Sequence, residues 1–269
     1  MGVLAVLAEV VVVLSVLLLA TLGFVVGPTQ LRRSLSDLPN RLRIGAKPLG
    51  VLLAVLLLNS VVRDYGVTLS WIIGTNITDE IFALEGAVVA TLQSATPLWL
   101  TYYFGYVYVY GYVFLLVFPL LAALITAERP LLRRTAFAYT INYAVGMTCY
   151  LLFVAYGPRN TIPVVEPLLF DLLPRFQLLT SEVNANTNVF PSLHTSLSLT
   201  VALLAVDTRE TFPRWTPIAV FLAASIVLST MVLGIHWVTD VVAGAVLAAV
   251  SVWLVSSDRL RDTWLTRRL

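Results

Sequence analysis

The chain has 269 residues, of which 59% are hydrophobic and only 12% charged, with a formal net charge of +2. Soluble globular domains carry about 25% charged residues, so the composition excludes a soluble fold and points to an integral membrane protein. With one cysteine, Cys149, there is no disulfide framework.

A membrane-spanning helix needs roughly 20 apolar residues, and seven runs come close to that length or reach it. The first, 3–26, ends at Gly27-Pro28. It is too long for a signal peptide and lacks a basic start, so a retained helix is expected. A basic loop with Arg32, Arg33, Arg41, Arg43 and Lys47 precedes the short second run, 48–62. Residues 66–96 are half polar. Thr78-Asp79-Glu80 reads there as a helix start, and Ile81, Phe82, Val88, Val89 and Leu92 predict a helix lying in the membrane interface.

The third run, 97–127, contains Tyr102, Tyr103, Tyr106, Tyr108, Tyr110 and Tyr112. Alternation of Tyr with Val has the period of a strand, but a lone strand cannot satisfy its backbone in lipid. A helix is expected, with the tyrosines spread around it for packing and interface anchoring. The remaining runs are 135–156, 191–206, 216–234 and 237–255.

The predicted fold class is therefore all-α, a polytopic transmembrane bundle of six to seven spans forming one membrane domain. Residues 1–130 would supply N-terminal helices, 131–257 a catalytic core and 258–269 a cytoplasmic tail. Of the 17 basic residues, fourteen fall on the side of the loops after spans one, three and five and the tail, leaving Arg63, Arg159 and Arg175 opposite. Basic residues favour the cytoplasm, so the N-terminus is expected outside and the C-terminus inside.

The two histidines lie on the expected outer side. Phe190-Pro191-Ser192-Leu193-His194 opens the fifth run, with Pro191 suited to a first helical turn. Free backbone N–H groups at such a helix start attract anions, Ser192 adds a donor, and His194 adds a group that exchanges protons near neutral pH. His236 and Asp240 are four residues apart, one turn on a shared helix face. A carboxylate beside an imidazole fixes its tautomer and frees the other nitrogen as base or nucleophile.

These stretches, with Ser229-Thr230-Met231-Val232-Leu233-Gly234-Ile235-His236, resemble the second and third signature motifs of the type 2 phosphatidic acid phosphatase superfamily over roughly 156–254. The resemblance implies that His236 attacks phosphorus to give a phosphohistidine, that Asp240 orients it, and that His194 protonates the leaving group, with Ser192 on the phosphate. No cofactor or metal is implied. The expected partners are a lipid or polyprenyl phosphate substrate and membrane lipids, with no nucleic acid, and the site would face outside the cell membrane.

Leu-His and Ser-Thr-Met are similar to the inositol phosphorylceramide synthase branch, which transfers a phosphoryl headgroup to a lipid alcohol. Two departures stand out. Thr230 replaces the family's arginine, and the only Arg-Pro, Arg129-Pro130, falls on the predicted cytoplasmic side with Ala122 at the lysine position. Arg159, and less strongly Arg175, are the candidates for the missing positive charge. Two alternatives stay open: a metal hydrolase using both histidines and Asp240, and a non-catalytic lipid carrier or channel.

Overall fold

A computed structural model describes residues 3–177 and 186–257 of the chain. The predicted tail, 258–269, lies outside the described residues. Helices α1 (Val3–Val25), α2 (Pro28–Ser36), α3 (Leu38–Ile73), α4 (Thr78–Glu85), α5 (Val88–Ser94), α6 (Leu98–Thr126) and α7 (Arg129–Leu152) come first. Short helices α8 (Pro158–Thr161) and α9 (Leu168–Leu172) follow, then α10 (Leu193–Asp207), α11 (Trp215–Val232) and α12 (Val238–Ser256). The result is an all-α bundle.

Among the described residues, five helices are long and apolar enough to cross a membrane: α1, α3 through its Gly45–Val62 window, α6, α11 and α12. The other two predicted spans are helices with different physics. α10 has 15 residues, which is roughly 22 Å of rise against about 30 Å of hydrocarbon. α7 has the length but carries Arg133, Arg134, Thr135, Thr140 and Asn142, with Arg134, Thr135 and Asn142 turned into the protein.

Several predicted boundaries moved. The basic segment after α1 is not a loop, because its residues lie on α2 and the first turns of α3. α3 runs straight through Pro48, which membrane helices tolerate when neighbours satisfy the freed carbonyl. The half-polar segment does begin a helix at Thr78, where Asn76 Oδ1 accepts from the Thr78 N–H at 3.0 Å and from its hydroxyl at 2.7 Å. It is two helices rather than one, broken at Gly86, whose φ is +55°. Gly66–Ile73 belongs to α3. The tyrosine run is helical, with a π-helical turn over Val107–Gly111. A two-residue parallel pairing was not expected: β1 (Thr75–Asn76) pairs with β2 (Phe153–Val154), Thr75 opposite Phe153.

The core lies where α6, α7, α10 and α11 meet. Phe114, Phe118, Leu132, Leu197, Val201, Ala219 and Ile226 are buried together, and the Phe118 ring packs 4.1 Å from Trp215 between centroids. On α12, Asp240, Gly244, Ala248, Ser251 and Val255 are all buried. Their three- and four-residue spacing makes one stripe along the helix.

Gly244 marks the closest approach of that stripe to α10. A Cβ there would meet the Ser192 carbonyl oxygen at 2.6 Å and Thr195 Cβ at 3.1 Å. The same pair is tied by Ser192 N–H donating to the Asp240 carbonyl at 3.1 Å. At the other end, Arg134 of α7 donates to Asp207 at the end of α10 (2.5 Å) and Ser256 at the end of α12 (2.6 Å). The three helices are thus pinned at both ends.

Replacing Gly244 with Val should force α10 and α12 apart, lowering stability by about 1–3 kcal/mol. The exposed control Ala249→Val should not. Thermal unfolding of both variants in detergent checks this.

Candidate active site

The site forms where the start of α10, the start of α12 and the C-terminal end of α7 converge. The local sequence at each explains the shape. Ser192 is the N-cap of α10, its Oγ accepting from Thr195 N–H at 3.2 Å. The helix therefore begins at Leu193, and Pro191 precedes it rather than occupying its first turn; the Phe190–Pro191 bond is cis. His194 sits in the first turn. Ser192 is completely buried, with its oxygen engaged as a cap.

α11 ends in a Schellman motif. Ile235 N–H donates to Thr230 O at 3.0 Å and Gly234 N–H to Met231 O at 2.9 Å, with Gly234 at φ +68°. The left-handed residue reverses the chain and delivers His236 two residues later. His236 N–H also donates to Thr230 O at 3.1 Å.

Asp240 lies in the first turn of α12, where its Oδ2 accepts from Trp237 N–H at 2.8 Å and stands 3.4 Å from His236 Nδ1. The expected pairing is present, but His236 precedes the helix, whose N-cap is Trp237, so the two do not share a helix face. Both side chains are almost wholly buried, and 3.4 Å is an ion-pair contact slightly too long for a well-formed hydrogen bond. Trp237 is wholly buried, and its Nε1–H donates to Tyr156 O at 2.7 Å.

Across from His236, the His194 ring is 6.3 Å away between centroids. Both histidines line one cavity of about 370 Å³, together with Tyr108, Tyr112, Tyr143 and Tyr150. The Tyr108 ring stacks on His194 at 4.4 Å and 18°, and the Tyr112 ring lies at 4.2 Å. Two members of the tyrosine run therefore form part of the site. Their i, i+4 spacing was the signal, since it places both on one helix face.

Arg159 belongs to α8, which packs directly on the Gly234 turn. Its backbone N–H donates to Gly234 O at 3.0 Å, and Gly157 leaves no room for a Cβ beside Ile235 O. The guanidinium lies over the Phe170 ring at 4.7 Å. Nη1 is buried and makes no hydrogen bond among the described residues. Burial lowers the guanidinium from its ordinary pKa, with Tyr108 opposing the shift; it remains a cation. Arg175 is engaged elsewhere: its Nη2 is 3.2 Å from Glu9 Oε1, which also accepts from the Tyr110 hydroxyl at 2.7 Å.

Glu85 had no signal in the sequence. Its carboxylate, at the end of α4, accepts from Val238 N–H at 2.8 Å and Thr239 N–H at 2.5 Å. It caps α12 from 153 residues away. The α12 N–H groups are thus taken by Glu85 and Asp240, whereas His194 occupies the start of α10. Arg129 begins α7, and Tyr143 and Tyr150 of the same helix line the cavity, so the only Arg-Pro is roughly 20 Å along the helix from it. Among the described residues no three His, Cys, Asp or Glu side chains form a metal-holding cluster.

In comparison with known proteins, a family model described as the PAP2 superfamily matches residues 79–254, more than half of the chain and well beyond the 156–254 stretch over which the motifs are recognisable. No curated protein and no solved structure matches it.

Because a charged acceptor on two N–H groups is worth more than an ordinary cap, Glu85→Ala should cost about 1–2 kcal/mol of stability. Glu85→Gln should cost less. Unfolding of both variants in the same detergent gives the comparison.

Proposed function

This chain belongs to the PAP2 superfamily, whose members are generally phosphoesterases, and on that premise we propose that it cleaves or transfers a lipid or polyprenyl phosphoester through a phosphohistidine at His236. The observation that carries the reading is the buried His236–Asp240 pair facing His194 across one cavity. With Nδ1 held toward Asp240, the tautomer leaves the Nε2 lone pair free.

In the first half, His236 Nε2 forms a bond to phosphorus as the bond to the leaving alcohol oxygen breaks, and that oxygen takes a proton from His194. In the second half, water or an alcohol attacks the phosphohistidine, giving its proton back to His194 as the N–P bond breaks. The imidazole centroids are 6.3 Å apart, and in this reading the phosphoryl group passes between nucleophile and acid. Asp240 stabilises the imidazolium-like charge on His236.

Phosphate recognition falls to the His194 N–H in the first turn of α10, the Ser192 hydroxyl hydrogen, and Arg159. The buried Arg159 Nη1 lacks an acceptor, and an unmade hydrogen bond at a buried cation is costly; a phosphate oxygen would remove that cost. Arg175 keeps its Glu9 partner and takes no part in this reading. Leu193-His194 and Ser229-Thr230-Met231 favour the phosphotransferase branch within the superfamily.

The proposed topology has about six to seven spans, the N-terminus outside and the site at the outer face of the cell membrane. It is supported by the five helices that, among the described residues, are long and apolar enough to cross a membrane, and by the placement of Arg129, Arg133 and Arg134 at the end of α7 away from the cavity.

His236→Ala should abolish turnover in a folded protein, and Ser192→Ala should raise KM for the phosphoester. Arg159→Leu should lower kcat/KM at least tenfold, because a charged hydrogen bond to phosphate contributes roughly 1.5–3 kcal/mol. Arg175→Gln should change kcat/KM less than threefold. Steady-state phosphate release from a detergent-solubilised lipid phosphate measures all four, and retained turnover in His236→Ala would sink the mechanism.

A further inference from the structure

The cavity is larger than a phosphoryl group requires. Its volume of about 370 Å³ lies within the range of sites that hold whole organic ligands, roughly 300–1,000 Å³. One wall comes from outside the residues that match the family: Val10 of α1 and Leu56, Asn59, Val62 and Gly66 of α3. Those helices turn their other faces outward, with Leu53, Leu57 and Leu58 exposed on α3. The wall therefore separates the cavity from the hydrocarbon around the protein.

Asn59 is the anomaly in that wall. It lies within Gly45–Val62, a window apolar enough to cross a membrane, and its side chain lines the cavity. Among the described residues its amide has no hydrogen-bond partner. An amide carries two donors and an acceptor, and leaving them unpaired at membrane depth costs several kcal/mol in the worst case. The same cavity is lined by the hydroxyl-bearing Tyr112 and Tyr143. An amide set in an otherwise apolar wall, in a cavity whose remaining lining carries tyrosine hydroxyls and Asn188, fits the carbinol end of a molecule whose remainder is hydrocarbon.

We propose that Asn59, with Tyr112 and Tyr143 of the same cavity lining, forms an acceptor subsite that seats the hydroxyl of a lipid alcohol, so that the phosphoryl group passes to that alcohol in preference to water. The inference rests on the phosphohistidine reading above. The lone pair of the alcohol oxygen forms the new O–P bond, the His236 N–P bond breaks and returns its electron pair to Nε2, and the hydroxyl proton passes to His194. Asn59 accepts from or donates to the hydroxyl as it is presented to phosphorus. It acts on the acceptor rather than on formation of the phosphohistidine.

The test is the partition of one intermediate. Protein in phosphatidylcholine vesicles is given dipalmitoyl phosphatidic acid labelled in the phosphate, with dioleoylglycerol in the bilayer and glycerol in the water. Labelled dioleoyl phosphatidic acid, labelled glycerol phosphate and free phosphate are then measured together. The ratio of transfer product to free phosphate is set after the common intermediate, so it does not depend on how much of a variant folds.

The wild type should form labelled dioleoyl phosphatidic acid, and Asn59→Leu should lower its ratio to free phosphate roughly three- to tenfold, the loss of one hydrogen bond. Tyr143→Phe should lower it in the same direction. An unchanged ratio in Asn59→Leu, free phosphate as the sole wild-type product, or label passing to glycerol in preference to the lipid alcohol each overturns the subsite while leaving the phosphohistidine standing. A wild type that neither releases nor transfers the label overturns both.

Discussion

Asp240 is the residue on which the rest of the site depends. Its carboxylate is completely buried, which is tolerable only because Trp237 N–H and the His236 ring stand beside it. Its own backbone carbonyl accepts from Ser192 N–H. One residue therefore orients the imidazole of α11's exit turn, starts α12 and fixes where α10 begins. Gly244, one turn further along α12, lets that junction close. A side chain at Gly244 or a neutral group at position 240 would disturb the spacing of both histidines together.

Around that junction the protein spends its few polar groups sparingly. α4 and α5 contribute from outside the long helices. Glu85 caps α12, while Gln93 accepts from Glu166 N–H at 2.8 Å and donates to Val232 O at 3.1 Å and Glu166 O at 3.0 Å. Thr78 Oγ1 accepts from Tyr156 N–H at 3.0 Å. These bonds hold the 156–166 segment, and with it Arg159, against the Gly234 turn. The family match begins at residue 79, in α4, which accords with these two short helices being part of the catalytic unit. Preorganised donors and cations in a dry site stabilise developing charge at little reorganisation cost.

Much of the fold was legible because lipid simplifies the problem. Apolar length locates helices, and the seven runs all became helical segments, even the Tyr–Val alternation that mimics a strand. Boundaries were less legible. Pro48 ends helices in water but not in α3, and α2 with the start of α3 looked like a loop because charge was read as absence of structure. At the site, the His236–Asp240 spacing and the Ser192 helix start were visible as local periodicity. Glu85 and Asn59 were not, since they depend on a distant partner or on the shape of a cavity, and the i, i+4 spacing of Tyr108 and Tyr112 marks a shared helix face without showing that it packs on His194. Arg175 was attractive as a lone outer cation until Glu9, 166 positions earlier on α1, proved to be its partner.

The central claim is that His236 carries the phosphoryl group covalently. The most direct measurement is rapid acid-free quenching of the wild-type enzyme with a phosphate-labelled lipid phosphoester, followed by alkaline digestion and identification of the labelled amino acid. The account predicts a base-stable, acid-labile phosphohistidine on the peptide containing His236, present in wild type and absent in His236→Ala. Label on His194, or turnover with no protein-bound label under conditions that trap other acyl- or phosphoryl-enzymes, would contradict it.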